Sequence, residues 1–205
     1  MTSYILNFLY ALFLLSIVLL VTPVITVISL LIFIVSGLPI FYAQKRVGLN
    51  GIPFMLYKFR TMHVGAEKLQ VKLKAQNEAK GPVFKIRHDP RFTAIGGFLS
   101  HTGLDELPQI INIFLGHMAI VGPRPLPVAE VKKLLPWQKE RHKIKPGIIS
   151  PWIVNGYHSQ KFDDWMKSDL EYALKKNQVY DLYLMGKALV LFLKFVRNEL
   201  REYQL

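Results

Sequence analysis

No Asp, Glu, Lys or Arg occurs before Lys45, and all 26 basic and 14 acidic residues of this 205-residue chain fall from that point on. Between Ile5 and Val35 only Asn7, Tyr10, Ser16, Thr22, Thr26 and Ser29 interrupt the apolar run with polar atoms. A straight helix over that span would measure ~46 Å at ~1.5 Å per residue, against a hydrocarbon core of ~30 Å. Such a segment must tilt, bend or lie along the membrane interface.

Thr22-Pro23 stands near the middle of the run. Proline removes a backbone donor and crowds the preceding turn, and a threonine hydroxyl can bond the freed carbonyl. Hydropathy alone favours a spanning helix with a proline kink over a broken helix that enters and leaves by one leaflet. A signal peptide fits poorly, because a basic leading region is missing and the apolar run is too long. The positive-inside rule assigns Lys45, Arg46 and the rest of the chain beyond them to the cytoplasm and leaves the N-terminus undecided. These features divide the chain into an anchor over 1–40 and a basic domain over 41–205.

The formal net charge is +12. An anionic leaflet attracts such a domain as readily as a nucleic acid does, and no nucleic-acid motif is present, so a nucleic-acid partner is not expected. The absence of cysteine removes disulfides, thiolate zinc sites and a thiol nucleophile. Walker, Gly-x-Gly-x-x-Gly, His-Glu-x-x-His and Gly-x-Ser-x-Gly patterns are also missing.

Past the anchor, Phe41 to Val47 and Ile52 to Arg60 flank Leu49-Asn50-Gly51, and Asn-Gly favours the positive φ angles of a hairpin turn. Residues 66–80 read as one polar, Lys-rich helix ending near Gly81-Pro82, a solvated face. Leu104-Asp105-Glu106-Leu107-Pro108-Gln109 then opens an apolar helix that stops at Gly116. With Pro108 in its first turn, the acids sit at the N-cap. The commoner account of such a pair is capping and dipole compensation, with a capping box from Thr102 to Asp105.

The other account is chemical. The helix is apolar on nearly every face, so it must be buried or membrane-embedded, which would hold two carboxylates at a lipid boundary near several cations. Carboxylates so placed can bind Mg²⁺, attack phosphorus or move a proton. Pro123-Arg124-Pro125 adds a guanidinium on a rigid loop, suited to gripping phosphate oxygens. Lys132 to Lys145, with Trp137 and His142, suits headgroups. Tyr183 to Val196 suits an interfacial helix, and equally a cover for the core or for the partner subunit of a homodimer. A non-catalytic, basic adaptor at the membrane surface remains the alternative.

Taken in order, Thr22-Pro23, Gln44-Lys45-Arg46-Val47-Gly48, Tyr57-Lys58-Phe59-Arg60-Thr61-Met62, Gly81-Pro82-Val83-Phe84-Lys85, Asp89-Pro90-Arg91, Leu104 to Gln109, Val121 to Pro125, Lys145-Pro146-Gly147-Ile148 and Val154-Asn155-Gly156 cover nearly the whole chain. This ordered set resembles the monotopic phosphoglycosyl transferases, the bacterial sugar transferases that initiate surface-glycan assembly. The resemblance implies a membrane-associated α/β fold with a re-entrant, broken helix, a small β-hairpin and several amphipathic interfacial helices at the cytoplasmic face of the bacterial inner membrane. It reverses the preference that hydropathy gives.

It also implies transfer of a sugar-1-phosphate from a UDP-sugar to polyprenyl phosphate with release of UMP. Asp105 would be the nucleophile and a Mg²⁺ ligand, and Glu106 its acid/base partner. Lys58, Arg60, Gln109, Arg124 and Asn155 would contact phosphate or nucleotide. The Gly-Pro-Val-Phe-Lys segment is closer to the hexose-1-phosphate branch. Family arginines are replaced at Gly97 and Ser100, and an Asn-Gly-Arg by Asn155-Gly156-Tyr157; Ile149-Ser150-Pro151-Trp152 stands where Thr-Gly-Trp is usual. Asp169 matches a family Asp loosely, and its ordinary reading is a solvated helix residue.

Overall fold

The computed structural model describes residues 2–79, 81–155 and 161–202. Gly156 and Tyr157 lie outside the described residues. Helix α1 runs from Thr2 to Ser36 as one continuous helical element with Pro23 inside it. The expected break therefore appears as a proline within a helix, not as a gap between two helices. Thr26 Oγ1 donates to the Thr22 carbonyl at 3.0 Å, a side-chain bond one turn back that flanks the proline.

Along α1, Ile25, Ile28 and Ile32 recur at helical spacing and pack against Phe59, Leu99, Leu104 and Leu107. Leu19, Leu20, Val24, Val27, Leu30, Leu31 and Ile34 stay exposed. Protein thus covers one stripe of the helix, and between Leu19 and Ser36 only Ile28 and Ile32 are buried. The last turn is closed by Gly37 at φ 68° and by Arg60, whose Nη2 donates to the Ser36 and Gly37 carbonyls at 2.7 Å each.

Strands β1 (Phe41–Val47) and β2 (Pro53–Phe59) form an antiparallel hairpin, with Phe41 opposite Phe59 and Val47 opposite Pro53. Its turn holds Asn50 at φ 53° and Gly51 at φ 76°, in keeping with the Asn-Gly signal. The expected 66–80 helix is not formed. It is replaced by α2 (Ala66–Leu69) and a single 3₁₀ turn at Lys74–Gln76. Ala66 is the only buried residue of these two pieces, so no apolar stripe rewards extension of the helix. Asn77 then folds the chain back: its Oδ1 accepts from the Ala79 and Lys85 amides, and its Nδ2 donates to the Ala79 and Val83 carbonyls.

Helix α3 (Gly96–Thr102) begins where a Cβ on Gly96 would lie 1.8 Å from the Thr61 carbonyl oxygen, so only glycine fits against the end of the hairpin. A 3₁₀ segment, Leu104–Gln109, leads into α4 (Ile110–Phe114). Strand β3 (Ala119–Val121) pairs in parallel with β4 (Gly147–Ile149), and between them lie α5 (Val128–Val131), α6 (Pro136–Lys139) and the 3₁₀ turn Glu140–Lys143. Helices α7 (Pro151–Val154), α8 (Phe162–Lys175) and α9 (Gln178–Glu202) close the fold.

Trp152 and Trp165 stack at 5.7 Å within a core that includes Leu126, Leu134 and Met166. On α9, Leu184 is buried against Val121 and Tyr172, whereas Leu182, Leu189, Val190 and Leu193 are exposed. The far end of α9 is tied to α3 by buried Glu199, whose Oε2 lies 3.1 Å from His101 Nδ1. The result is a mixed α/β fold with one apolar N-terminal helix, a small antiparallel sheet and several helices.

Candidate active site

Beneath the acid pair, β2 is an edge strand whose free backbone groups need partners. Fully buried Asn112, on α4, supplies them: its Nδ2 donates to the Met55 carbonyl at 2.6 Å and its Oδ1 accepts from the Tyr57 amide at 3.1 Å. This stitch fixes the 104–114 segment along β2 and brings Asp105 Oδ2 within 3.7 Å of Lys58 Nζ. The signal available in sequence was one amide in an otherwise apolar run.

The capping half of the commoner account fails, although both acids stand in the first turn, as dipole compensation expects. Gly103, left-handed at φ 80°, precedes the 3₁₀ segment, and no side chain caps it. Thr102 ends α3 and returns its hydroxyl to the Phe98 and Leu99 carbonyls, so the expected capping box is absent. The carboxylates are therefore free of backbone duty. Asp105 is buried, and that burial raises its carboxyl to about 6; Lys58 and Arg124 oppose the shift, and Glu106 adds to it.

Glu106 Oε1 meets Arg124 Nη1 at 2.6 Å, and Glu106 is the main reason that the guanidinium is held even more firmly in its charged form. In a 3₁₀ segment residues three apart eclipse, so buried Gln109 shares the face of Glu106. Lys58, Asp105, Glu106 and Arg124 thus form one cluster.

The loop that carries Arg124 is fixed at four consecutive carbonyls. Pro123 accepts from the Gly147 amide at 3.1 Å, Arg124 from Arg141 Nη2 at 2.7 Å, Pro125 from Arg46 Nη1 at 3.0 Å and Leu126 from the Val47 amide at 3.0 Å. Arg46 is itself buried enough to be lowered to about 10, with Arg124 adding to the effect, and it stays charged at neutral pH.

Two expected contacts lie elsewhere. Arg60 is spent on the end of α1, and Asn155 Oδ1 accepts from Lys187 Nζ at 3.1 Å where α7 meets α9. Gly97 is buried in α3, and Ser100 is half-buried there. Asp169 corrects its ordinary reading: it is fully buried, 2.6 Å from Arg141 Nη2, and burial raises its carboxyl to about 6 against the pull of Arg141.

A cleft of ≈ 420 Å³, lined in part by Asn50, Pro53, Lys132, Lys139 and His142, opens at the tip of the hairpin. Pro53 is five residues from Lys58 along β2, about 16 Å at a strand's rise. It is not the site of the acid pair. Among the described residues, no three His, Asp or Glu side chains gather as a metal cage. Asp105 and Glu106 are hard oxygen donors of the kind Mg²⁺ takes when phosphates supply its remaining ligands, so the cluster fits that ion.

The chain belongs to the bacterial sugar transferase family, whose model matches residues 2–195. It is 43% identical over 138 residues to the galactosyl transferase CpsE of Streptococcus agalactiae, covering 67% of this chain and 31% of that protein. It is 36% identical over 177 residues to the UDP-glucose:undecaprenyl-phosphate glucose-1-phosphate transferase of Escherichia coli, covering 82% of this chain and 36% of that one. A putative undecaprenyl-phosphate N-acetylgalactosaminyl 1-phosphate transferase of Bacillus subtilis is 44% identical over 103 residues, half of each chain. The chain thus spans about a third of the length of the first two relatives.

Proposed function

We propose that this protein transfers a hexose-1-phosphate from a UDP-hexose to polyprenyl phosphate, releasing UMP. The observation that carries the reading is Asp105, a buried carboxylate that caps nothing and faces Lys58, beside a Glu106–Arg124 ion pair. An Asp105 oxygen bonds to the phosphorus that bears the sugar, and the bond from that phosphorus to the bridging oxygen breaks. UMP leaves with the electron pair.

In the second step an oxygen of polyprenyl phosphate attacks the same phosphorus, and the bond to Asp105 breaks, restoring the carboxylate. Glu106 takes the acceptor's proton. Lys58 and Arg124 offset the negative charge that develops on the phosphoryl oxygens, where fixed cations act without reorganising. Asp105 and Glu106 are the residues that would hold Mg²⁺, which when bound neutralises phosphate charge.

Membrane placement rests on surface chemistry. α1 is about 52 Å long, well beyond a hydrocarbon core of ~30 Å, and between Leu19 and Ser36 only Ile28 and Ile32 are buried against protein. Ile111, Phe114 and Leu115 on and beside α4, with Leu189, Val190 and Leu193 on α9, add exposed apolar surface that lipid would cover. These features support embedding of α1 in lipid, and with Pro23 near its middle we read it as re-entering the cytoplasmic leaflet of the inner membrane. A tag at residue 1 is expected to be reachable only from the cytoplasm; periplasmic labelling would instead mean a spanning helix.

The functional test is UMP release from a panel of UDP-sugars with Mg²⁺ and polyprenyl phosphate. UMP formed from a UDP-hexose and dependent on Asp105 is expected. Lipid binding with no UMP from any donor would mark a non-catalytic surface protein.

A further inference from the structure

The Arg124 loop leads to a second buried pair. Arg141, in the 3₁₀ turn 140–143, places Nη2 2.7 Å from the Arg124 carbonyl oxygen and 2.6 Å from Asp169 Oδ2 on α8. Both side chains are at most 1% exposed, and the Arg141 guanidinium lies 5.7 Å from the Trp165 ring centre. One nitrogen therefore joins the backbone of the phosphate-gripping residue to a carboxylate on a separate helix.

The pair is poorly built for stability alone. Arg141 Nε and Nη1 and both Asp169 oxygens make no well-aligned hydrogen bond among the described residues, and a buried ion pair with unmet hydrogen-bonding capacity is often no better than apolar side chains of the same volume. Burial also outweighs the attraction of Arg141 at the Asp169 carboxyl. What the charges provide is geometry: a donor fixed at the Arg124 carbonyl, between the prolines of a loop that joins β3 to α5.

We propose that Arg141 and Asp169 are positioning residues: they lock the Arg124 peptide so that its guanidinium stays on Glu106 beside Asp105. The inference rests on the proposed phosphate transfer for its kinetic consequence and on the Arg124–Glu106 contact for its structural one. Asp169 acts on Arg141, Arg141 on the Arg124 carbonyl, and Arg124 on the transferring phosphate. Neither member of the pair touches the reacting atoms.

A double-mutant cycle separates this from a general structural role. Asp169→Asn is expected to lower kcat/KM for UMP release about tenfold, and Arg124→Ala by more. In the Arg124→Ala background, Asp169→Asn should then change the rate by less than about twofold, because the group it positions is gone. Independent, multiplying effects would overturn the proposal. Arg141→Lys retains the charge beside Asp169 but lacks the fork that also reaches the Arg124 carbonyl, so it should stay folded and lose activity like Asp169→Asn; wild-type kinetics in it would also overturn the proposal.

A crystal structure of the Arg141→Lys protein gives a readout that needs no activity. The 2.6 Å Arg124–Glu106 contact is expected to open. An unchanged contact contradicts the positioning role. If the wild-type protein releases no UMP, the transfer reading fails, and this structural arm still decides the positioning.

Discussion

Asp105 and Asp169 are both buried aspartates raised to about 6, each beside a cation, yet they differ in how that cation is held. Asp169 and Arg141 are sealed, at 0% and 1% side-chain exposure and 2.6 Å apart. Lys58 stands 3.7 Å from Asp105 and is 27% exposed, and Arg124 beside it is 37% exposed. Burial of the acid is common to both sites. Access of the cation to an incoming anion distinguishes them, and it is what a phosphate substrate needs.

The largest effect that can break the comparison is chemical. Asp105→Asn is expected to cut UMP release by at least about a thousandfold, since an amide cannot act as the nucleophile proposed for Asp105. Asp169→Asn, equally buried, should cost only about tenfold. Equal losses would mean that burial, not access, sets the role. Next comes Arg124→Ala, expected to lower kcat/KM about a hundredfold through the loss of a charge that faces the phosphoryl oxygens.

The acids also set a pH signature, and here the two sites should agree. Each folded-state carboxyl stands at about 6 against an ordinary value of 3.8, so between those values the folded protein holds protons that the unfolded chain has released. Their effect on stability is therefore adverse at high pH: stability falls as pH climbs through that window and levels off above it. Asp105→Asn should raise the thermal midpoint at pH 8, and the gain should vanish below about pH 4. Activity should move the other way, falling in acid as the nucleophile takes up its proton. Melting and rate profiles on one set of buffers read both signs.

The smallest expected effect lies at the hairpin tip. Lys132→Ala, in the cleft whose Pro53 stands about 16 Å from Lys58 along β2, should leave UMP release within about twofold of wild type. A large loss there would move the phosphate-binding surface away from Arg124.

The features legible in the sequence are those set by local chemistry. Asn50-Gly51 announces the hairpin because few residues accept positive φ, and the Asp105-Glu106 pair and the Pro-Arg-Pro loop stand out by composition. What stayed hidden depends on partners distant in sequence. Asn112 serves β2 from more than 50 residues away, Arg60 closes a helix that ends at Ser36, and Asp169 meets Arg141 across 28 positions. The 66–80 stretch differs for a related reason: Leu69 and Val71 stay exposed, and tertiary packing, which decides helix length, is missing there.

The central claim is that Asp105 becomes covalently attached to the phosphosugar, and mass spectrometry of the digested enzyme after incubation with Mg²⁺ and a UDP-hexose, without polyprenyl phosphate, tests it most directly. The expected result is a hexose-phosphate increment on the peptide that contains Asp105, lost on addition of polyprenyl phosphate and absent from Asp105→Asn. UMP release on addition of the acceptor with no adduct on that peptide, or with the adduct on another residue, would contradict it.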